Sequence, residues 1–390
     1  MSNDSPFRAG FGKNPPVLAG RDEIIRVFRE ALEVGTWSQE RVTLIQGFRG
    51  VGKTVTVNAL EDVARAAGWR VISETATPGF ADRLRDEALV ELIAELDPQP
   101  ERRVTGGSVT PLGSVQTVLT PEEQPARSLR GSIANVTQLL EPRGGLLITV
   151  DEVNTDSIDD IRLLAAAVQH AIREDREIAL VFSGLKSEIS NVLRDKPLTF
   201  MRRAAKFDLD LLSFPETLLA LGEPISTAGR DVEAQALDYM ARASRGYPFL
   251  IQLIGDYAWK ANRDLAEISV ADAEKAFSKA HRTMGSHVHE PALSDLSAID
   301  RSFLAAMAED DGPSRRVDVE ARMKVTNNYF SVYRQRLIDA GMVFSPERGK
   351  LDYSLPYLRD YLKTHQVAEV LSSSAVARSD FPAPPPLPAP

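Results

Sequence analysis

Gly47-Phe48-Arg49-Gly50-Val51-Gly52-Lys53-Thr54 decides the reading of this chain, because it fills the pattern G-x-x-x-x-G-K-[ST]. Before it, Arg41-Val42-Thr43-Leu44-Ile45-Gln46 is short, β-branched and apolar, as a buried strand should be, and residues 55–67 after it have helical apolar spacing. Glycines between a strand and a helix let successive N–H groups turn inward around phosphate oxygens, while the helix N-terminus adds positive potential. Lys53 is then placed to reach the β- and γ-phosphates, and the Thr54 hydroxyl to ligate Mg²⁺. Gly47, Arg49, Gly50, Val51, Gly52, Lys53, Thr54 and Val55 are the expected binding residues for a nucleoside triphosphate. The plainer alternative, a tight glycine turn with no ligand, does not account for the strand and helix that flank it.

A second signal lies a hundred residues on, in Leu146-Leu147-Ile148-Thr149-Val150-Asp151-Glu152. A continuous apolar strand suits a parallel sheet covered on both faces, and this one ends in two carboxylates where the carboxyl edge of the sheet would face the loop. Asp151 is expected to hold Mg²⁺ directly or through water, and Glu152 to polarise the attacking water as general base. A solvated acidic turn is the competing reading, weakened by the loop upstream. Residues 177–184 form another buried strand; Ser183 at its end either meets the γ-phosphate or lytic water, or merely closes the strand. The adjacent Arg202 and Arg203 suit charge stabilisation of a transferring phosphoryl group, often from a neighbouring subunit, or else a plain solvated surface.

The 390 residues are 43% hydrophobic and 26% charged, enough to bury sizeable cores in two or three domains. With no cysteine, the chain has no disulfide, thiolate zinc site or cysteine nucleophile, which fits a reducing, cytoplasmic location. The N-terminus reads as neither signal nor span, and no apolar run approaches the roughly 20 residues that cross a bilayer, so no membrane partner is expected. A net charge of −9 argues against a wholly basic nucleic-acid coat.

Residues 1–14 read as a loose arm and 15–212 as the nucleotide core, with a helix from about 24 whose N-cap is Asp22 or whose start is Gly20-Arg21. Within the core, 97–126 is rich in Pro, Gly, Ser and Thr and reads as a mobile loop or weak hairpin. Residues 213–290 read as helices without strands, a lid, in which Gly246 closes one helix and Pro248 opens the next. His281, His287 and His289 around Gly285 suit a solvated linker better than a metal site.

Residues 291–365 show three helices and then a hairpin, the order of a winged helix-turn-helix. The third helix offers Asn328, Tyr333, Arg334 and Arg336 as DNA contacts. This stretch carries 11 lysines and arginines against 11 aspartates and glutamates, so a protein dock competes with DNA as its partner. Residues 366–390, ending in a proline-rich run, read as a disordered tail with polyproline II character that could serve as a proline-groove ligand.

Pro16-Val17-Leu18-Ala19-Gly20-Arg21, the loop, Leu146–Asp151 with Glu152, Ser183, Arg202-Arg203 and Gly246-Tyr247-Pro248, in that order, resemble the AAA+ and STAND branch of P-loop ATPases. More narrowly, the chain is similar to archaeal-type ATPases and origin-recognition-type initiators that end in a winged helix. The resemblance implies an αβα P-loop sandwich with a parallel sheet, an all-α lid and a winged helix, with ATP and Mg²⁺ as cofactors. It also implies DNA, protein partners or a homo-oligomer. It puts Gly20 and Arg21 against adenine and Ser183 at the sensor 1 position. One departure stands out: where initiators carry a Gly-Asp pair and a sensor arginine, this chain reads Gly246-Tyr247-Pro248, closer to the Gly-x-Pro of STAND switches, whose proline packs on adenine. The function expected is a slow, ATP-dependent switch coupled to DNA engagement. Its alternative is a nucleotide-dependent protein scaffold that binds no nucleic acid.

Overall fold

The computed structural model describes residues 4–10, 14–35, 38–98 and 128–365. The loop or hairpin expected in 97–126 lies, apart from Asp97 and Pro98, outside the described residues, as do the proline-rich tail and residues 1–3 and 11–13 of the arm.

The first half begins with α1 (Asp22–Val34), β1 (Val42–Gly47), α2 (Lys53–Ala66) and β2 (Arg70–Thr75). The N-cap of α1 is Arg21, so Asp22 is already helical rather than a cap. Then α3 (Phe80–Arg83) runs through a π turn into α4 (Leu89–Leu96), followed by α5 (Leu129–Leu140), β3 (Leu146–Asp151), α6 (Ile158–Arg173), β4 (Ile178–Gly184), α7 (Lys186–Arg194) and β5 (Ala205–Leu209). All five strands pair in parallel, in the order β2-β3-β4-β1-β5. Alternation across β3 and β4 explains why their whole length is apolar. Leu146, Ile148 and Val150 with Ile178, Leu180 and Phe182 pack under the helices of one face, and Leu147, Ala179 and Val181 face α1 and α2 on the other. Because β4 lies between β1 and β3, the carboxyl ends of all three converge on one edge. Buried Glu61 of α2 fastens that arrangement from behind: Ser73 Oγ and Thr149 Oγ1, register partners in β2 and β3, each donate to its Oε1 at 2.6 Å.

The second half is mainly helical: α8 (Phe214–Thr227), β6 (Asp231–Val232), α9 (Ala234–Ser244), α10 (Pro248–Ala261), β7 (Glu267–Ile268) and α11 (Val270–Met284). The lid is therefore not strand-free, since β6 and β7 pair in parallel. Gly285 does not start a solvated linker. A π turn from Gly285 to His289 carries α11 directly into α12 (Glu290–Ser294). His289 is buried there, its Nε2 2.9 Å from the Pro356 carbonyl oxygen, and burial lowers its pKa to about 4. His281 packs edge-on to Tyr357.

The chain ends in α13 (Ala298–Ala308), β8 (Ser314–Arg315), α14 (Arg316–Met323), α15 (Asn327–Asp339), β9 (Val343–Phe344), β10 (Lys350–Tyr353) and α16 (Leu358–His365). The expected hairpin of β9 and β10 gains β8 as a third strand, in the order β8-β10-β9. One hydrophobic core runs from Leu221 and Ile254 of the lid through Met284 to Phe303, Phe330 and Leu358. Among the described residues no helix is long and apolar enough to cross a membrane.

Candidate nucleotide site

The carboxyl edge of the sheet, α8 to α10 and the last segment of the chain enclose a cleft of about 800 Å³. Lys53, Thr54, Asp151 and Glu152 line it together with Arg49 to Val55. Gly52, the N-cap of α2, has φ 96°, and Gly50 has φ 73°, conformations that side chains resist. A Cβ on Gly50 would also lie 1.9 Å from the Tyr247 hydroxyl.

Lys53 is held ready over the loop, Nζ donating to the carbonyls of Gly47 (3.2 Å) and Phe48 (3.1 Å). Burial lowers its pKa from 10.5 to about 8, a shift that Arg49 reinforces and that Asp151 and Glu152 oppose. Asp151 collects three donors: Thr54 Oγ1 to Oδ2 at 2.6 Å, the Glu152 N–H to Oδ1 at 2.8 Å, and the Ser183 hydroxyl. The two expected metal ligands, Thr54 and Asp151, are thus already side by side, a hard oxygen pair of the kind Mg²⁺ takes. Glu152 is exposed and left-handed at φ 57°, which lifts its carboxylate clear of the strand.

Arg21 is at the cleft wall and Gly20 is not, and Arg21 is committed to backbone. Its guanidinium donates to the carbonyls of Gly20 (3.0 Å), Val51 (3.2 Å) and Asp210 (3.0 Å). Burial pushes its pKa below the ordinary arginine value, against the pull of Glu216 and Asp210. Gly20, at φ 69°, lies so close under α8 that a Cβ would meet Glu216 Oε1 at 2.7 Å. This pair therefore joins α1, the loop and the lid entrance. Pro248 lines the cleft at the first turn of α10.

Arg202 and Arg203 are not brought to the cleft. They precede β5, whose first residue pairs with Thr43 near the amino end of β1, and Arg202 Nε donates to the Leu193 carbonyl. Arg245, the residue before Gly246, lies with its guanidinium 4.0 Å from the Tyr357 ring centroid.

One of the four DNA-contact candidates on α15 serves the interior instead, and a second is tied to an acid. Tyr333 is buried, and Arg336 pairs at 2.9 Å with buried Asp300 while lying over the Tyr333 ring. A helix must bury one stripe of side chains to pack, and Tyr333 falls on it with Tyr329, Phe330 and Leu337, whereas Arg336 stays 47% exposed. Asn328 is exposed and Arg334 partly so.

The residue that sequence reasoning passed over is Tyr247. It is buried, stacks on Phe48 at 6.4 Å between ring centroids, and donates to the Arg49 carbonyl at 3.2 Å, so the lid rests on the loop. Its only signal was its place in Gly246-Tyr247-Pro248. The end of the chain also reaches the loop. Arg49 pairs with Asp295 at 3.1 Å, the Ser187 hydroxyl donates to the Asp339 carbonyl, and His287, Pro291 and Leu355 line the cleft.

Residues 17–181 match the model of the AAA ATPase domain family, and residues 286–362 that of a domain of unknown function (DUF8462). No curated protein matches the chain. Among solved structures it is similar to the Walker-type ATPase PABY2304 of Pyrococcus abyssi, at 17% identity and a TM-score of 0.63 over 93% of this chain and 99% of that one. It is also similar to the Aeropyrum pernix ORC2 protein in its ADPNP-ADP complexes, at 15% identity and a TM-score of 0.61 over 95% of this chain and 98% of that one. At these identities the likeness establishes the fold.

Proposed function

We propose that this chain, built on an AAA-type P-loop ATPase domain, is a nucleotide-dependent switch that binds Mg·ATP in its cleft, hydrolyses it slowly and couples the cycle to its C-terminal segment. One observation carries the reading: the loop that would grip the triphosphate is touched both by the lid, through Tyr247, and by the end of the chain, through Asp295. Phosphates in the loop draw Lys53 off the Gly47 and Phe48 carbonyls, and any shift of the Arg49 backbone is felt by both partners. Glu152 takes the proton of the attacking water, and Asp151, steadied by Ser183, would hold the metal together with Thr54. Bound Mg²⁺ would supply neutralisation of charge on the phosphate oxygens. Arg202 and Arg203 face outward, where they suit a neighbouring copy's γ-phosphate.

Residues 291–365 are read as a winged helix that engages DNA through exposed Asn328 and partly exposed Arg334. Buried Tyr333 drops out of that role, and exposed Arg336 joins it only by giving up its pair with Asp300. The stretch's zero net charge and the commitment of Arg336 to Asp300 favour a second reading, docking to a protein. ATPase assays test the core: Lys53→Ala is expected to lose nucleotide binding, and Glu152→Gln to keep it while turnover falls roughly 10²- to 10⁴-fold. Turnover that survives both changes rules the mechanism out. Gel shifts with apo, ADP and ATP forms at two salt concentrations test the DNA arm. Binding that weakens with salt and with Arg334→Ala supports it, and no shift in any state favours the protein dock.

A further inference from the structure

The N-terminal segment, read from sequence as a loose arm, is anchored at both of its described ends. Phe7 is 4% exposed and sits in the lid core against Gly255 of α10, where a Cβ would meet its ring at 2.4 Å. Next to it, the Arg8 N–H donates to Gln252 Oε1 at 2.9 Å. Asn14 is held on α2, accepting from Asn58 Nδ2 at 3.0 Å and donating to Asp62 Oδ2 at 3.4 Å. Four residue steps separate Gly10 from Asn14, a reach of at most roughly 14 Å. The chain therefore ties the lid to the helix that follows the phosphate loop.

Arg8 and Gly10 line the nucleotide cleft beside Gln252, Phe249 and Pro248 of α10. Lys53 and the loop occupy the phosphate end; the wall near α10 and Val17 to Ala19 is largely apolar, suited to a base. Among the described residues the Arg8 guanidinium makes no ion pair or hydrogen bond, so it is available to a ligand. From this placement we infer that residues 4–10 form a strap over the cleft and that Arg8 binds the base and ribose end of the nucleotide, by lying across the purine or donating to ribose hydroxyls. Gly255 is part of the device: only its missing side chain lets Phe7 seat. The inference rests on the nucleotide-binding reading above and adds to it a cation from a segment held by Gln252, 244 positions away in sequence.

Calorimetric titration of the full-length protein with ATP, ADP and inorganic tripolyphosphate tests it. Arg8→Ala is expected to weaken ATP and ADP equally, roughly 3- to 30-fold, and to leave tripolyphosphate unchanged. Phe7→Ala, which frees the strap, is expected to do the same, and the double variant to be no worse than either. A loss confined to ATP would put Arg8 at the phosphates and overturn the base-end assignment. Unchanged affinity in Arg8→Ala, whose side chain is exposed and leaves folding intact, overturns the strap altogether even if Phe7→Ala proves unstable. Failure of the wild-type protein to bind either nucleotide would instead sink the proposed function.

Discussion

Lys53 and Glu152 show what a nucleotide site costs a fold before any ligand arrives. With its pKa lowered to about 8, below the ordinary 10.5, Lys53 carries a buried-charge penalty that is present below about pH 8 and fades as the lysine deprotonates. Phosphates restore the proton. Calorimetry in buffers of different ionisation enthalpy is expected to find proton uptake on ATP binding between about pH 8 and 9 and little below pH 7. Glu152 holds a left-handed conformation that a glycine adopts freely. Glu152→Gly is expected to raise unfolding stability by about 1 kcal/mol in urea titrations while abolishing turnover. A glycine variant no more stable than wild type would remove strain from the account of this residue.

The turn from α9 into α10 is where the lid meets the loop. Gly246 is left-handed at φ 70°, and a Cβ there would lie 2.1 Å from the Leu212 carbonyl oxygen, whose own N–H donates to Gly246 at 2.9 Å. Tyr247 follows, its hydroxyl on Arg49. Tyr247→Phe removes one hydrogen bond and is expected to cost about 1 kcal/mol, whereas Gly246→Ala must shift backbone and should cost at least ~2 kcal/mol. Equal costs by chemical denaturation would mean that the close approach of residues 212 and 246 is not a constraint. From the sequence, the glycine and proline announce a helix junction, but the tyrosine's target, some 200 positions upstream, leaves no local trace.

Across the molecule, the nucleotide loop is where the three parts of the chain meet. The Arg49–Asp295 pair is more than half exposed on both sides, so by itself it adds only about 0 to 1 kcal/mol. Its importance lies in what it joins. Asp295→Arg is expected to leave the unfolding midpoint nearly unchanged yet to speed hydrogen exchange in α15 and α16 without nucleotide, and ATP is expected to do the same in the wild type. Exchange that ignores both the substitution and ATP would separate the C-terminal segment from the cycle.

The strand, loop and helix around Gly47 to Thr54, the apolar run ending at Asp151, and the identities of Lys53, Thr54 and Glu152 were legible in the sequence, because backbone geometry and phosphate chemistry impose a local pattern. So was the αβα core, since parallel strands covered on both faces must be apolar throughout. The strand order that sets Ser183 against Asp151, the burial of Tyr333, the pairing of Arg336 with Asp300, and the seating of Phe7 and Tyr247 came from contacts between distant segments. Such contacts depend on which surfaces the packed core brings together, and side chains of the same kind at the same local spacing serve equally well as exposed contacts or as packing.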